Sequence, residues 1–231
     1  MVIGNGLLAN TFIDFKDDEN FLILASGVSN SLETNYEEFI REKDLILSFS
    51  GSTACVIYFS TVGLYDTDLS STPYYKHKAY IESLIIRNFN NYLIFRLPIL
   101  VSNSNNPNTL TNFLHLKMLR NEEFPVFSRA SRYLIDIYDV KTLVTGMIKS
   151  LSYKNEILDI NFDNRIMVNE LVKIFETVLN IIPKTVSIDR GSTYRTHNNV
   201  FINYLNKIEF QQTHDYVYLL IKKYYGNLKS R

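Results

Sequence analysis

The sequence contains no tryptophan and one cysteine, Cys55, among its 231 residues. A single thiol excludes an internal disulfide and fits a reducing compartment. Within the run ACVIYF it reads as a core residue rather than a nucleophile. Paired Cys/His spacing is absent, so no metal site is expected. An excess of one charge is also absent: Lys and Arg number 24, as do Asp and Glu. That balance gives no electrostatic case for nucleic acid or an anionic membrane as partner. No apolar run approaches the roughly 20 residues that a membrane helix needs. The opening MVIGNGLLANTF has no basic segment ahead of an apolar one, so no signal peptide is expected and the reading is cytoplasmic. Internal repeats and low-complexity linkers are likewise missing.

What is present is an ordinary globular composition, 46% hydrophobic and 21% charged, at a length that suits one large domain or one with a small appendage. Short β-branched or aromatic runs alternate with amphipathic stretches, the pattern of an α/β fold with a mainly parallel sheet. A very short strand, Met1 to Ile3, precedes a helix over about Leu7 to Phe15. FLILAS (Phe21 to Ser26) and CVIYFS (Cys55 to Ser60) read as buried strands, with a helix between them over about Asn35 to Ser48. Tyr74 to about Phe89 is helical and Tyr92 to Pro98 is a strand. Further on, LTNFLHLKML reads as a helix, RYLIDIYDV as a strand running into a helix, EILDI and TVSI as strands. Glu170 to Asn180 and His214 to Tyr225 read as helices, and Ser102 to Asn108 as a loop. Residues 1–102 are expected to form the nucleotide-binding core. Residues 103–231 supply the remaining strands, interleaved with a small substrate lobe over the carboxyl edge of the sheet, where α/β sheets place ligands.

Three groups of residues carry chemistry. Gly4-Asn5-Gly6-Leu7-Leu8-Ala9 is a G-x-G-x-x-A between a strand and a helix. Its first glycine permits the turn, its second lets a pyrophosphate approach, and Ala9 allows close packing, with the anion on the helix N-terminus. A plain glycine turn is the alternative. Tyr74-Tyr75-Lys76-His77-Lys78 is a Y-x-x-x-K, which puts Tyr74 and Lys78 on one helix face. There the ammonium is expected to lower the phenol's pKa. The pattern recurs at Tyr218/Lys222 and Tyr225/Lys229, read as packing and solvated face. Thirdly, Ser60 and Thr61 emerge at the carboxyl end of a central strand, where a hydroxyl can bond a substrate oxygen. A strand-capping Ser/Thr pair is the alternative.

Taken in order, VIGNGLLA, FLILASG, VIYFSTVGLYD, YYKHKAYIE, YLIFRLP and RYLIDIYDV resemble the extended short-chain dehydrogenase/reductases of the nucleotide-sugar epimerase and dehydratase group. The resemblance spans nearly the whole chain. It implies a Rossmann-type parallel sheet flanked by helices, NAD or NADP as cofactor, a nucleotide-sugar substrate and a homo-oligomer. It further implies a catalytic set of Thr61, Tyr74 and Lys78: Tyr74 exchanging a proton with the sugar oxygen, Lys78 holding the nicotinamide ribose, Thr61 orienting the same oxygen. The cofactor would be lined by Gly4, Gly6, Leu7, Leu8, Ala25, Ser26, Gly27, Ser60, Tyr74, Lys78 and Pro98. Arg132 matches an arginine that contacts the substrate diphosphate in some members, with a surface arginine as the alternative.

The sequence departs from that family in one large way. Two β-α units normally stand between the first helix and the strand equivalent to FLILAS; here only the turn Lys16-Asp17-Asp18-Glu19-Asn20 does. The sheet is therefore expected to be truncated on the side of its first strand, leaving Met1–Ile3 at or next to an edge that a partner or the C-terminal region covers. Those units carry the adenosine pocket, so weak cofactor affinity is expected. Asp66 stands where a glycine is usual. Val62-Gly63 follow Thr61 where dehydratases carry an acid pair, which disfavours dehydration. The resulting expectation is an NAD(P)-dependent nucleotide-sugar ketoreductase or epimerase serving cell-surface polysaccharide synthesis. The other reading is a non-catalytic member acting as a binding or assembly subunit.

Overall fold

The computed structural model of the protein describes residues 1–104, 106–150 and 152–226. Lys229 of the third Y-x-x-x-K lies outside the described residues. Five parallel strands form the main sheet: β1 (Val2–Ile3), β2 (Phe21–Leu24), β3 (Cys55–Thr61), β4 (Tyr92–Leu97) and β9 (Glu156–Asp159), in the order β1-β2-β3-β4-β9. Between them run α1 (Leu7–Thr11), α2 (Tyr36–Leu47) and α3 (Pro73–Asn88). After β4 come β5 (Ile99–Val101), α4 (Leu110–Leu119), β6 (Phe124–Phe127), β7 (Ser131–Arg132), β8 (Leu134–Asp136) and α5 (Ile137–Lys149). The rest is β10 (Ile166–Met167), α6 (Val168–Leu179), β11 (Thr185–Ile188), α7 (Asn199–Lys207) and α8 (Tyr216–Tyr225).

The sheet is apolar on both faces because helices cover both. Alternate residues divide between them. Ile23, Ile57, Phe59 and Phe95 pack with Phe12, Val140 and Leu143 on the side of α1 and α5. Leu22, Val56, Tyr58 and Ile94 pack with Ile46, Ile81 and Ile85 on the side of α2 and α3. A separate core, including Leu114, Phe124, Leu134, Leu171, Phe175 and Ile221, holds α4, α6 and α8 to β5, β6 and β8. Cys55 belongs to the first of these cores, and burial pushes its thiol up to about 11.

The truncation follows the expected course. Among the described residues β1 pairs with β2 alone, at Val2–Ile23 and Ile3–Leu24, and is the edge of the sheet. α8 packs on α6, β8 and β5 and belongs to that separate core.

Several local expectations need correction. The first helix does not run to Phe15. α1 ends at Thr11 and a 3-10 turn, Ile13–Phe15, follows, so at five residues its dipole is small. β6 and α7 were not foreseen. β6 contains Pro125 and among the described residues pairs with β11 alone, an edge setting that tolerates proline.

Gly4 is the one residue of the glycine motif with a left-handed φ, +131°, and a Cβ there would stand 2.5 Å from the Ala25 carbonyl oxygen. Gly4→Ala is therefore expected to cost at least about 1–3 kcal/mol from backbone strain alone. Urea unfolding would measure it, and a variant as stable as the wild type would refute the constraint.

Candidate functional site

Helix α3 builds the centre of the site. Pro73 occupies its first turn, where proline's fixed φ suits helix entry. The buried positions that follow are Tyr74, His77, Lys78, Ile81, Glu82 and Ile85, a stripe at helical spacing. Four of these six are polar or aromatic-polar, so the inward face of α3 is occupied by chemistry at its N-terminal half and by packing further on.

Lys78 is 3% exposed. Its Nζ donates to the Tyr58 hydroxyl of β3 at 2.7 Å and to Glu42 Oε1 of α2 at 3.2 Å. Glu42, 1% exposed, gathers three further contacts: the Val28 N–H at 2.7 Å, the Tyr58 hydroxyl at 2.7 Å and His77 Nε2 at 2.9 Å. Burial would push this carboxyl up, but Lys78, His77, Val28 and Tyr58 together outweigh it and hold Glu42 well below the usual carboxylate range. Glu42 was not singled out from the sequence. The signal was there: it occupies the buried stripe of α2 together with Phe39 and Ile46.

Tyr74 lies beside Lys78, with Nζ 5.9 Å from its ring centroid, and packs against Val28, Phe39 and Tyr75. The expected lowering of its pKa does not occur. Burial, then Tyr75 and Glu42, push the Tyr74 phenol up. The main physical reason is burial of the ring against Val28, Phe39 and Tyr75, which disfavours the phenolate. Tyr74 is thus a protonated phenol at neutral pH.

The glycine-rich segments converge on the same edge. Gly4 abuts Ala25, and a Cβ on Gly27 would meet Glu42 Oε1 at 2.5 Å and Lys78 Nζ at 3.0 Å. A Cβ on Gly6 would meet nothing within 4 Å, and Gly6 and Leu7 are exposed while Leu8, Ala25 and Ser26 are half-buried. Ser60 is buried with its hydroxyl unpartnered, and Pro98 is buried between β4 and β5. The Thr61 hydroxyl accepts from the Gly63 N–H at 3.0 Å, which leaves its own proton free to donate. Above Gly63 stands the ring of Tyr75, 2.4 Å from where a Cβ would be. Tyr75 therefore faces the end of β3, while Tyr74 faces α2.

Arg132 is not a free surface cation, for one of its guanidinium nitrogens is engaged. Its Nη1 is 3.0 Å from Asp66 Oδ2 and donates to the Ser131 carbonyl at 2.7 Å. Arg96 of β4 makes a two-pronged pair with Glu82 of α3, at 2.9 and 2.6 Å, and donates to the Tyr65 hydroxyl at 2.8 Å. On α8 the Lys222 Nζ stands 5.9 Å from the Tyr218 ring centroid, with Tyr218 half-buried and Lys222 exposed. Cavities of about 390 and 530 Å³ lie elsewhere, the first beside Asp14, Lys141 and Lys149, the second at the amino ends of β2 and β3. Among the described residues no cluster of His, Cys, Asp and Glu is arranged to hold a metal, and no helix is long and apolar enough to cross a membrane.

No family model and no curated protein sequence matches the chain. Solved structures do. dTDP-glucose 4,6-dehydratase from Bacillus anthracis, in complex with NAD, is 13% identical over 97% of this chain and 79% of that one, with a TM-score of 0.69. UDP-glucose 4-epimerase from Stenotrophomonas maltophila, with bound NAD and formylated UDP-arabinopyranose, is 14% identical over 93% and 79%, with a TM-score of 0.69. RMD from Pseudomonas aeruginosa, complexed with NADPH, is 13% identical over 90% and 81%, with a TM-score of 0.63. At such identities the comparison speaks for architecture alone: the chain shares the Rossmann-type α/β fold of these neighbours, covers 79–81% of their length, and among the described residues has its first strand at the sheet edge.

Proposed function

We propose that the carboxyl edge of the sheet is an NAD(P) and sugar site, and that the chain is a nucleotide-sugar ketoreductase or epimerase of the cytoplasm. The observation that supports this best is the meeting of Gly4, Ala25, Gly27, Lys78 and Tyr74 at one edge. The residues present fit the nicotinamide half of a dinucleotide. Open space lies over Gly6 and an unpartnered hydroxyl lies at Ser60. Lys78 carries three protons, of which Glu42 and Tyr58 take two, leaving one for a ribose hydroxyl. On the adenosine side no strand lies beyond β1 among the described residues, so affinity is weak.

When bound, the cofactor supplies hydride; the chain positions it and moves the proton. A protonated Tyr74 suits proton donation to a ketone oxygen, as either a ketoreductase or an epimerase requires. A role for Thr61 on the same oxygen rests on the family resemblance, since Tyr75 rather than Tyr74 faces the end of β3. Val62 and Gly63 are both buried and carry no acid or base, which argues against dehydration. A place in cell-surface polysaccharide synthesis rests on the family resemblance alone. One observation favours the non-catalytic reading instead: the closed pair of Glu42 and Lys78, with the ammonium almost fully buried.

Titration with NADH and NADPH, read by nicotinamide fluorescence, tests the cofactor half. Saturable binding that Gly6→Ala weakens about tenfold, with unchanged melting temperature, is the expected result, since a methyl there fills only ligand space. Absence of binding by either nucleotide favours the non-catalytic reading.

A further inference from the structure

A second charged cluster sits where the end of β3 meets the second lobe. Asp66, 1% exposed, follows the 3-10 turn Val62–Tyr65. One of its carboxylate oxygens pairs with Arg132 Nη1 at 3.0 Å. The other accepts from the Ser192 hydroxyl and from the Asp68 N–H. Three segments distant in sequence are thus tied together at this one carboxylate. Tyr75 packs over Gly63, and Tyr194 packs with Val62 and Tyr133 in the same turn region. The ring centroids of Tyr194 and Tyr133 are 5.7 Å apart.

We propose that Asp66 is a specificity-determining residue: it neutralises Arg132 in place, so that Arg132 does not recognise a phosphate or carboxylate of the substrate, and the ligand group presented to this cluster is an uncharged, hydroxyl-bearing ring. An anion approaching Arg132 would have to share it with a buried carboxylate that cannot withdraw into solvent. Breaking the pair would strand Asp66 without its cation, which is costly at such burial. Sharing it would set two anions on one guanidinium. The tyrosine rings and hydroxyls that flank the pair suit instead the apolar faces and polar rim of a sugar ring. If the sugar carries a nucleotide diphosphate, that diphosphate is held without Arg132.

This inference rests on the reading of the carboxyl edge as the substrate site, and its test uses no cofactor. Inorganic pyrophosphate and UDP would be titrated calorimetrically into the wild type, Asp66→Asn, Arg132→Met and the double variant. Asparagine keeps the shape of the side chain and removes its charge. The expected result is at least a tenfold gain in affinity for both ligands in Asp66→Asn, lost again in the double variant, with Arg132→Met within twofold of the wild type. Three results would overturn the proposal: no gain in folded Asp66→Asn, a gain that survives loss of Arg132, or a tenfold weakening in Arg132→Met alone. That last comparison does not depend on Asp66→Asn folding. A parallel NADH titration of the wild type separates failure of the cofactor reading from failure of this one.

Discussion

Glu42→Ala is expected to destabilise the protein by about 3–5 kcal/mol, the range for removing one partner of a buried ion pair. The reason is the number of groups that Glu42 satisfies. Its loss leaves Lys78, His77, the Val28 N–H and the Tyr58 hydroxyl without their common acceptor, in a place that water does not reach. Against a total stability of about 5–15 kcal/mol this is a large share. For a chain of this size it corresponds to a fall in melting temperature of roughly 6–20 °C. The double variant Glu42→Ala/Lys78→Met should recover part of the loss, because no unpaired ammonium remains, while His77, the Val28 N–H and the Tyr58 hydroxyl still lack their acceptor. Thermal unfolding of the two variants decides the matter: a single variant within about 1 kcal/mol of the wild type would show that the cluster is not a unit.

The same carboxylate gives the pH dependence a sign. Its folded-state pKa is depressed, so its contribution is fully present above the unfolded carboxylate value of about 4.3. That contribution is lost progressively as pH falls below that value toward the folded pKa. Stability of the wild type should therefore drop on acidification through this window, more steeply than that of Glu42→Gln.

Tyr74→Phe is expected to lower turnover by about 10²- to 10⁴-fold, the usual contribution of a positioned proton donor, while leaving stability nearly unchanged. The substitution removes only the hydroxyl; the ring keeps its packing against Val28, Phe39 and Tyr75. The assay is NADH or NADPH oxidation with 4-keto sugars linked to UDP or dTDP, each variant checked by circular dichroism. Tyr218→Phe, on the outer side of α8, serves as the control and should retain full activity. Loss of activity in the control but not in Tyr74→Phe would mean that the site is in the wrong lobe.

Much of this protein is determined by its sequence alone. Unbroken apolar runs in CVIYFS and FLILAS put apolar residues on both faces of the strands and so call for a sheet sandwiched between helices, and five residues between the first helix and the second strand leave room for no further β-α unit. The edge position of β1 follows from chain length and the handedness of the crossover. The identity of the inward positions of α3 is likewise legible from spacing. What the tertiary structure decided is the charge state of the site. Asn35 to Ser48 reads as an amphipathic helix, but only its docking against α3 brings Glu42 to Lys78, which lies 36 residues away. Likewise Asp66 meets Arg132 across 66 positions and Ser192 across 126. A Y-x-x-x-K read along the chain predicts a phenol with a lowered pKa; the same tyrosine, buried by the packing of α3 on α2 and close to Tyr75 and the Glu42 carboxylate, has a raised one. Local pattern specifies which residues face inward, because that depends on helix and strand periods. Which charges cancel depends on contacts between elements, and those exist only once the layers have packed.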